Sequence, residues 1–265
     1  MRKIFGSLVC IAGLTLSVWP SLASTATTTT TVPATTEPVS PDKIDYQLGL
    51  QDYHKKNYHE AMNLFEKAAA LGNSHAMDAI GELYLVGYGV SQDYHKAMDW
   101  WLKAAALNDP VAMMHIAGLY FQGLGVSQDY KQSVLWYEKA AALGNSDAMA
   151  DLAGVYSSGL GVAQDYKQSM MWAQKSAALG NDLAMVLIGL YYKNGYGVQQ
   201  DYTQALFWFH KAAAVNNTEA MVQIGIMYQC GFGVKLNLSQ AEYWYKKAAA
   251  LGNVDGKYLL SKLNE

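Results

Sequence analysis

The sequence is poor in cysteine, in net charge and in long apolar runs, and each shortage excludes a class of protein. Two cysteines in 265 residues, Cys10 and Cys230, cannot build a disulfide framework. A formal net charge of −3 gives no general electrostatic pull toward nucleic acid or an anionic lipid surface. Beyond the N-terminus, no stretch is apolar over the roughly 20 residues a membrane-spanning helix needs. The six histidines (His54, His59, His75, His95, His115 and His210) include no pair three or four apart, so none can grip a metal from one helix face. G-x-S-x-G and the Walker loop are absent, and no nucleophile–base or paired-carboxylate constellation stands out. The expectation is a non-enzyme with no catalytic residue, no cofactor and no metal.

What is present is a folded composition, 51% hydrophobic and 15% charged, arranged in three zones. Residues 1–23 read as a signal peptide. Arg2 and Lys3 precede a mostly apolar run from Ile4 to Val18, and Ser21-Leu22-Ala23 puts small residues at −3 and −1 of a cut. The mature chain is therefore expected to be exported, periplasmic or secreted, with no transmembrane segment after cleavage. Residues 24–40, rich in threonine and proline with almost no large apolar side chain, cannot offset the entropy of ordering and read as a disordered linker. From Pro41 to the C-terminus the chain repeats.

The block Ala-Ala-Ala-Leu-Gly-Asn starts at Ala68, Ala140 and Ala248, with variants at Ala104, Ser176 and Ala212, always 36 residues apart. Gly-x-Gly-Val recurs at Gly87, Gly123, Gly159, Gly195 and Gly231 with the same step. A fixed period of this size means a stacked array. Each unit reads as two helices. The first is capped by Asn73, Asp109, Asn145, Asn181, Asn217 or Asn253 and closed by the first glycine of Gly-x-Gly-Val. The second is capped by Asp93, Asp129, Asp165, Asp201 or Asn237. Gln132, Gln168, Gln204 and Gln240 complete capping boxes there, and Asn57 with Glu60 repeats the relation in the first unit. Trp100, Trp136, Trp172, Trp208 and Trp244 recur on the second helix, and Tyr84 and its copies on the first. At fixed repeat positions such rings are expected in the core.

The in-phase pattern A-M-x-x-[IL]-[GA]-x-x-Y-x-x-G-x-G-V-x-x-D-Y-x-x-[AS]-x-x-W-x-x-K-A-A-x-L-G-N resembles the Sel-one-like repeat (SLR), a 36-residue relative of the tetratricopeptide repeat. The resemblance covers units 75–110, 111–146, 147–182, 183–218 and 219–254. Residues 41–74 form a shorter, tetratricopeptide-like unit, and 255–265 a cap. It implies an all-α fold, an α/α superhelical solenoid of about six helix-turn-helix repeats plus a C-terminal capping helix. It also implies an adaptor whose partner is a protein or peptide, a cell-wall enzyme or host protein among them, the alternative being a regulator or binder linked to peptidoglycan or cell-wall enzymes. Some secreted members are cysteine-rich and linked to β-lactam binding. With only Cys230 left after cleavage, that analogy does not carry over.

Positions that differ between copies are released from the scaffold. On the first helix they fall on one stripe, which in related repeats lines the concave side. Phe121, Leu187, Leu190 and Ile226 are expected as apolar anchors of a binding groove, and Glu82, His115, Asp151, Lys193 and Gln229 as polar selectors. Leu85, Gln122 and Asn194 complete the candidate set.

Overall fold

The computed structural model describes residues 40–263. The segments read as signal peptide and linker lie outside the described residues, apart from Ser40. Thirteen helices in that range form six antiparallel pairs and a final single helix. The pairs are α1 (Pro41–His54) with α2 (Tyr58–Ala70), α3 (Ser74–Val86) with α4 (Tyr94–Ala106), and α5 (Pro110–Gln122) with α6 (Tyr130–Ala142). They continue as α7 (Ser146–Ser158) with α8 (Tyr166–Ala178), α9 (Asp182–Asn194) with α10 (Tyr202–Ala214), and α11 (Thr218–Cys230) with α12 (Leu238–Ala250). The last helix is α13 (Val254–Leu263). Each helix packs on its chain neighbours. The first helices of successive pairs also approach one another, as α7 does α9 and α11 does α13, so they line the inner side of the stack.

The boundaries follow the capping chemistry. Asp93, Asp129, Asp165 and Asp201 each accept hydrogen bonds from two amides of the turn they start, and Asn237 from one. Gly87 and its copies close the first helices in the left-handed conformation. Asn108 and Asn216, standing where other copies have glycine, also take positive φ, as their tolerance of that region predicts. The first unit departs from expectation. Asn57 makes no side-chain cap and donates instead to Asp52, because its turn is closed by Lys56 at φ 65° without the Gly-x-Gly-Val loop.

The loop motif is explained by contact between repeats. A Cβ on Gly125 would lie 2.6 Å from Cβ of Tyr94, the first residue of the preceding second helix, so the backbone must pass bare. Where the residue between the two glycines is aromatic, its ring stacks on the corresponding tyrosine. Tyr88 lies over Tyr58 at 4.6 Å, Tyr196 over Tyr166 at 5.0 Å and Phe232 over Tyr202 at 5.1 Å. Gln92, Gln128, Gln164 and Gln200 fasten the other side of the loop. Each donates its side-chain amide to a carbonyl in the last turn of the first helix, at 2.7–2.8 Å. Gly125→Ala is expected to cost about 2–3 kcal/mol, since it adds overpacking to left-handed strain. Gly144→Ala, also at positive φ but facing open space, is expected to cost only about 1 kcal/mol. Urea midpoints of the two variants check the difference.

The tryptophan row is not the buried row. Trp100, Trp136, Trp172, Trp208 and Trp244 are half-buried, lying on the core with one side under a lysine three residues on. The lysine ammonium sits 3.9 Å above Trp100, 3.8 Å above Trp136 and 4.2 Å above Trp172. The large core rings come one residue later, at Phe65, Trp101, Tyr137, Phe209 and Tyr245. The first helix crosses close above this later position and offers it Gly49, Gly81, Ala117, Gly189 or Gly225. A Cβ on Gly81 would collide with the Trp101 ring. In the fourth pair Ala153 meets Ala173, and no ring fills the position. Tyr191 of the next repeat is buried nearby. Its hydroxyl bonds Ser169 at 2.5 Å, and Ser169 in turn donates to the Ala153 carbonyl.

Candidate functional site

The inner face is built from the first helices, and its polar residues are tied to one another across repeats. The capping residue of each first helix uses one side-chain atom for its own helix and, in most copies, another for the repeat before. Asn73 donates to Asp42, Asn181 to Asp147 at 2.7 Å, Asn217 to Asp182 at 2.8 Å and Asn253 to Thr218. Asp109 takes the opposite role and pairs with His75, whose Nδ1 lies 2.9 Å from its Oδ2. Burial works against the Asp109 carboxylate, but hydrogen bonds from His75, the Ala112 amide and Ser74 outweigh it and hold the group below its usual range. The same bond raises His75.

The densest cluster lies at the junction of the second and third helix pairs. His115 Nδ1 donates to Asp78 Oδ1 at 2.9 Å, and its Nε2 lies 4.0 Å from Glu82 Oε1. The Trp101 ring sits 4.7 Å from the imidazole, and its Nε1 donates to the Asp78 carbonyl. All four side chains are buried. Burial alone would lower the histidine pKa. The charge of Asp78 and its hydrogen bond, with Glu82 behind it, raise it instead. Burial pushes Glu82 up to about 7, His115 opposing and Asp78 adding to it. Tyr46 and Tyr53 of α1 close this end of the inner face. Burial, followed by the nearby carboxylates, pushes each phenol up to about 12.

Further along, Asp151 accepts from Tyr137, and its desolvated carboxyl is pushed up to about 7. Lys193 donates to Gln223 at 2.8 Å, and Gln223 to Glu219. Gln229 accepts from Tyr245 at 2.6 Å. The candidate residues thus share one face but divide by depth. Glu82, His115 and Lys193 are buried and shape the wall from beneath. Leu85, Phe121, Gln122, Asp151, Leu187, Leu190, Ile226 and Gln229 are partly exposed, and Asn194 is exposed. Leu187, Leu190 and Ile226 rest on the core of the last three repeats. Phe121 packs edge-on to Tyr130 at 5.1 Å.

Asp78 escaped the sequence reading. Its signal was a carboxylate at a position where the other copies carry Met114, Ala150, Val186 and Val222. Among the described residues, no group of His, Cys, Asp and Glu is arranged to hold a metal. No helix of the described residues is long and apolar enough to cross a membrane. Cys230 lies at the exposed C-terminal end of α11.

A pair of helices recurring six times, with five of the six loops locked by Gly-x-Gly onto the tyrosine before it, decides the family. The Sel1 repeat model matches residues 46–73, 74–109, 110–145, 146–181, 182–217 and 218–253. The chain belongs to the Sel1 repeat family. The shorter first unit is therefore a Sel1 repeat as well, without its loop. Sel1 repeats build a scaffold for protein–protein contact. A Sel1 repeat protein from Oxalobacter formigenes is similar at 35% identity and a TM-score of 0.75, over 80% of this chain and 86% of that one. A protective antigen present in uropathogenic Escherichia coli strains, also with an SLR fold, is similar at 33% identity and a TM-score of 0.70. That match covers 84% of this chain, which spans only 48% of the antigen's length. An immunity protein from Pseudomonas aeruginosa shares the fold at 18% identity and a TM-score of 0.56, over 82% of this chain and 85% of that one. No curated protein matches the chain.

Proposed function

We infer that this Sel1 repeat protein is an exported, non-catalytic adaptor that holds a protein or peptide segment along its inner face. One observation carries the reading. The first helices lay a continuous row of divergent, partly exposed side chains side by side, while the residues that repeat are spent on caps, loops and core. Phe121, Leu187, Leu190 and Ile226 supply apolar contact area. Gln122, Asp151, Asn194 and Gln229 supply polar discrimination at its edges, where a mismatched partner leaves a buried group unsatisfied. Export rests on the charged, apolar and small-residue order of residues 1–23. A role in the cell envelope or at a host surface is supported by the likeness to the Escherichia coli protective antigen.

The test is in-cell crosslinking of the full chain, with partners identified from the native protein and from a variant carrying Phe121→Glu, Leu187→Glu and Leu190→Glu. The expected result is a discrete crosslinked partner that the variant loses while its circular dichroism is unchanged. Capture of the same partner by the variant would move the site off the inner face. Reproducible turnover of a substrate by the purified protein, abolished by a single substitution, would overturn the non-catalytic reading.

A further inference from the structure

The outer side of the stack carries a second pattern, unrelated to the groove. The second helices turn Tyr137, Ala140 and their copies inward, and present the opposite flank to solvent. On that flank α6, α8, α10 and α12 bear Leu135, Met171, Phe207 and Tyr243, one per repeat and between 36% and 54% exposed. The equivalent residues of the first two pairs are Asn63 and Asp99, so the repeat itself does not require an apolar side chain there. One exposed apolar side chain at the same helical position in four successive repeats sets this flank apart from the first two pairs.

Charge makes the strip specific. Four residues after each apolar side chain, one helical turn along the same face, stands a lysine: Lys139 and its copies at 175, 211 and 247. These four helices hold seven lysines and two acids. Glu138 is half-buried, and Glu242 is paired with Lys246 at 2.7 Å. The inner helices α3, α5, α7, α9 and α11 have the reverse balance, six carboxylates against Lys193. The ladder lysines are also held in place, each laid over the tryptophan three residues before it. An ordered ammonium loses less entropy on pairing than one that swings freely.

We propose that the outer flank of α6, α8, α10 and α12 is a docking surface for an acidic, amphipathic protein segment, one that sets apolar side chains against Leu135, Met171, Phe207 and Tyr243 and carboxylates against the adjoining lysines. Leucine and methionine at two of the four steps give a sugar ring no aromatic platform, whereas the apolar–cation pairing in every step mirrors an apolar–acid pairing in the partner. This surface is carried by the second helices and the groove by the first, so the two can be occupied together.

The test uses fluorescence anisotropy of the full chain with a labelled helical peptide of leucine and glutamate, and with its leucine–lysine counterpart. The glutamate peptide is expected to bind, more weakly as salt rises, and the lysine peptide not to bind. Leu135→Asn, Met171→Asn, Phe207→Asn and Tyr243→Asn together install the residue found at Asn63. They are expected to weaken binding at least about tenfold with unchanged circular dichroism. Lysine-to-glutamine changes along the ladder are expected to remove the salt dependence. The Phe121→Glu, Leu187→Glu and Leu190→Glu variant is expected to bind the peptide as the native chain does, which separates this surface from the groove. Equal binding by the asparagine variant, equal binding of the lysine peptide, or no binding at all overturns the proposal. So does capture of anionic phospholipid vesicles in place of the peptide, or self-association that the asparagine variant abolishes.

Discussion

Trp101→Ala is expected to lower the unfolding free energy by about 3–5 kcal/mol, and Trp100→Ala, one residue earlier on the same helix, by about 1–2 kcal/mol. The two rings differ in what surrounds them. Trp101 is 0% exposed, pressed against Gly81 and hydrogen-bonded to the Asp78 carbonyl. Removing it leaves a cavity that a glycine-backed helix cannot fill, and loses the buried hydrogen bond from the indole. Trp100 keeps one face toward solvent beneath Lys103, so its loss is mainly a loss of surface contact. Because a stack of repeats holds together through nearest neighbours, the damage from Trp101→Ala is expected to be local. Denaturant unfolding should then split, with the first two helix pairs lost before the rest. Equal destabilisation by the two substitutions would mean that the buried and the half-exposed rows have been confused.

Stability is also expected to fall as pH rises from about 5 to 7.5, by about 2–3 kcal/mol. The sign follows from which state holds protons more tightly. Glu82 and Asp151 sit at about 7 in the folded chain, against ordinary values of 4.5 and 3.8, so folding favours their protonated forms. That advantage is complete at low pH and is lost as pH climbs through 7. His115 has the same sign. Raised by Asp78 and Glu82 against the effect of burial, its contribution is full below its ordinary 6.5 and disappears as pH passes its higher folded value. Asp109 runs the other way. Held below 3.8, it contributes at neutral pH and is lost only in strong acid, outside this window. Urea midpoints measured between pH 5 and 8 check the slope, and Glu82→Gln with Asp151→Asn should flatten most of it. His115→Ala should cost about 3–5 kcal/mol near neutrality, since it leaves Asp78 and Glu82 buried side by side without their cation. A flat profile in the native protein would show that these carboxyls are hydrated.

The helices, their caps and their order were legible because they are written locally. Asn73, Asp93 and Gly87 act within a turn of themselves, and a 36-residue period makes the statement five times. Depth was not legible in the same way. Helical spacing places Trp100 and Trp101 only about 100° apart, and both are tryptophan, so nothing on their own helix says which is enclosed. The answer lies on the neighbouring helix, in Gly81 and its small-residue copies, whose role depends on how closely two axes cross. The groove shows the same limit. The divergent stripe was readable by comparing copies, but divergence marks freedom from the scaffold and not exposure. Glu82 and His115 diverge because they face each other across a junction where His115 bonds Asp78, and Lys193 because it reaches Gln223 in the next repeat. Asp78 went unread because its position is apolar in every other copy. Such a break in the pattern has meaning only when the partner 37 residues away is known.

The capping residues that reach back to the preceding repeat give the stack a direction. An asparagine at the start of a first helix organises its own turn with its oxygen and grips the earlier neighbour with its nitrogen, so each such unit reaches back from its beginning to the first turn of the unit behind it. Shortening the array from its tail leaves every remaining capping asparagine its acceptor, whereas removing the head takes the acceptor from the next asparagine in line. Val111 has no polar atom with which Asn145 could be held. The handover is missing there, and fraying that begins at the head meets a natural stopping point between the third and fourth helix pairs.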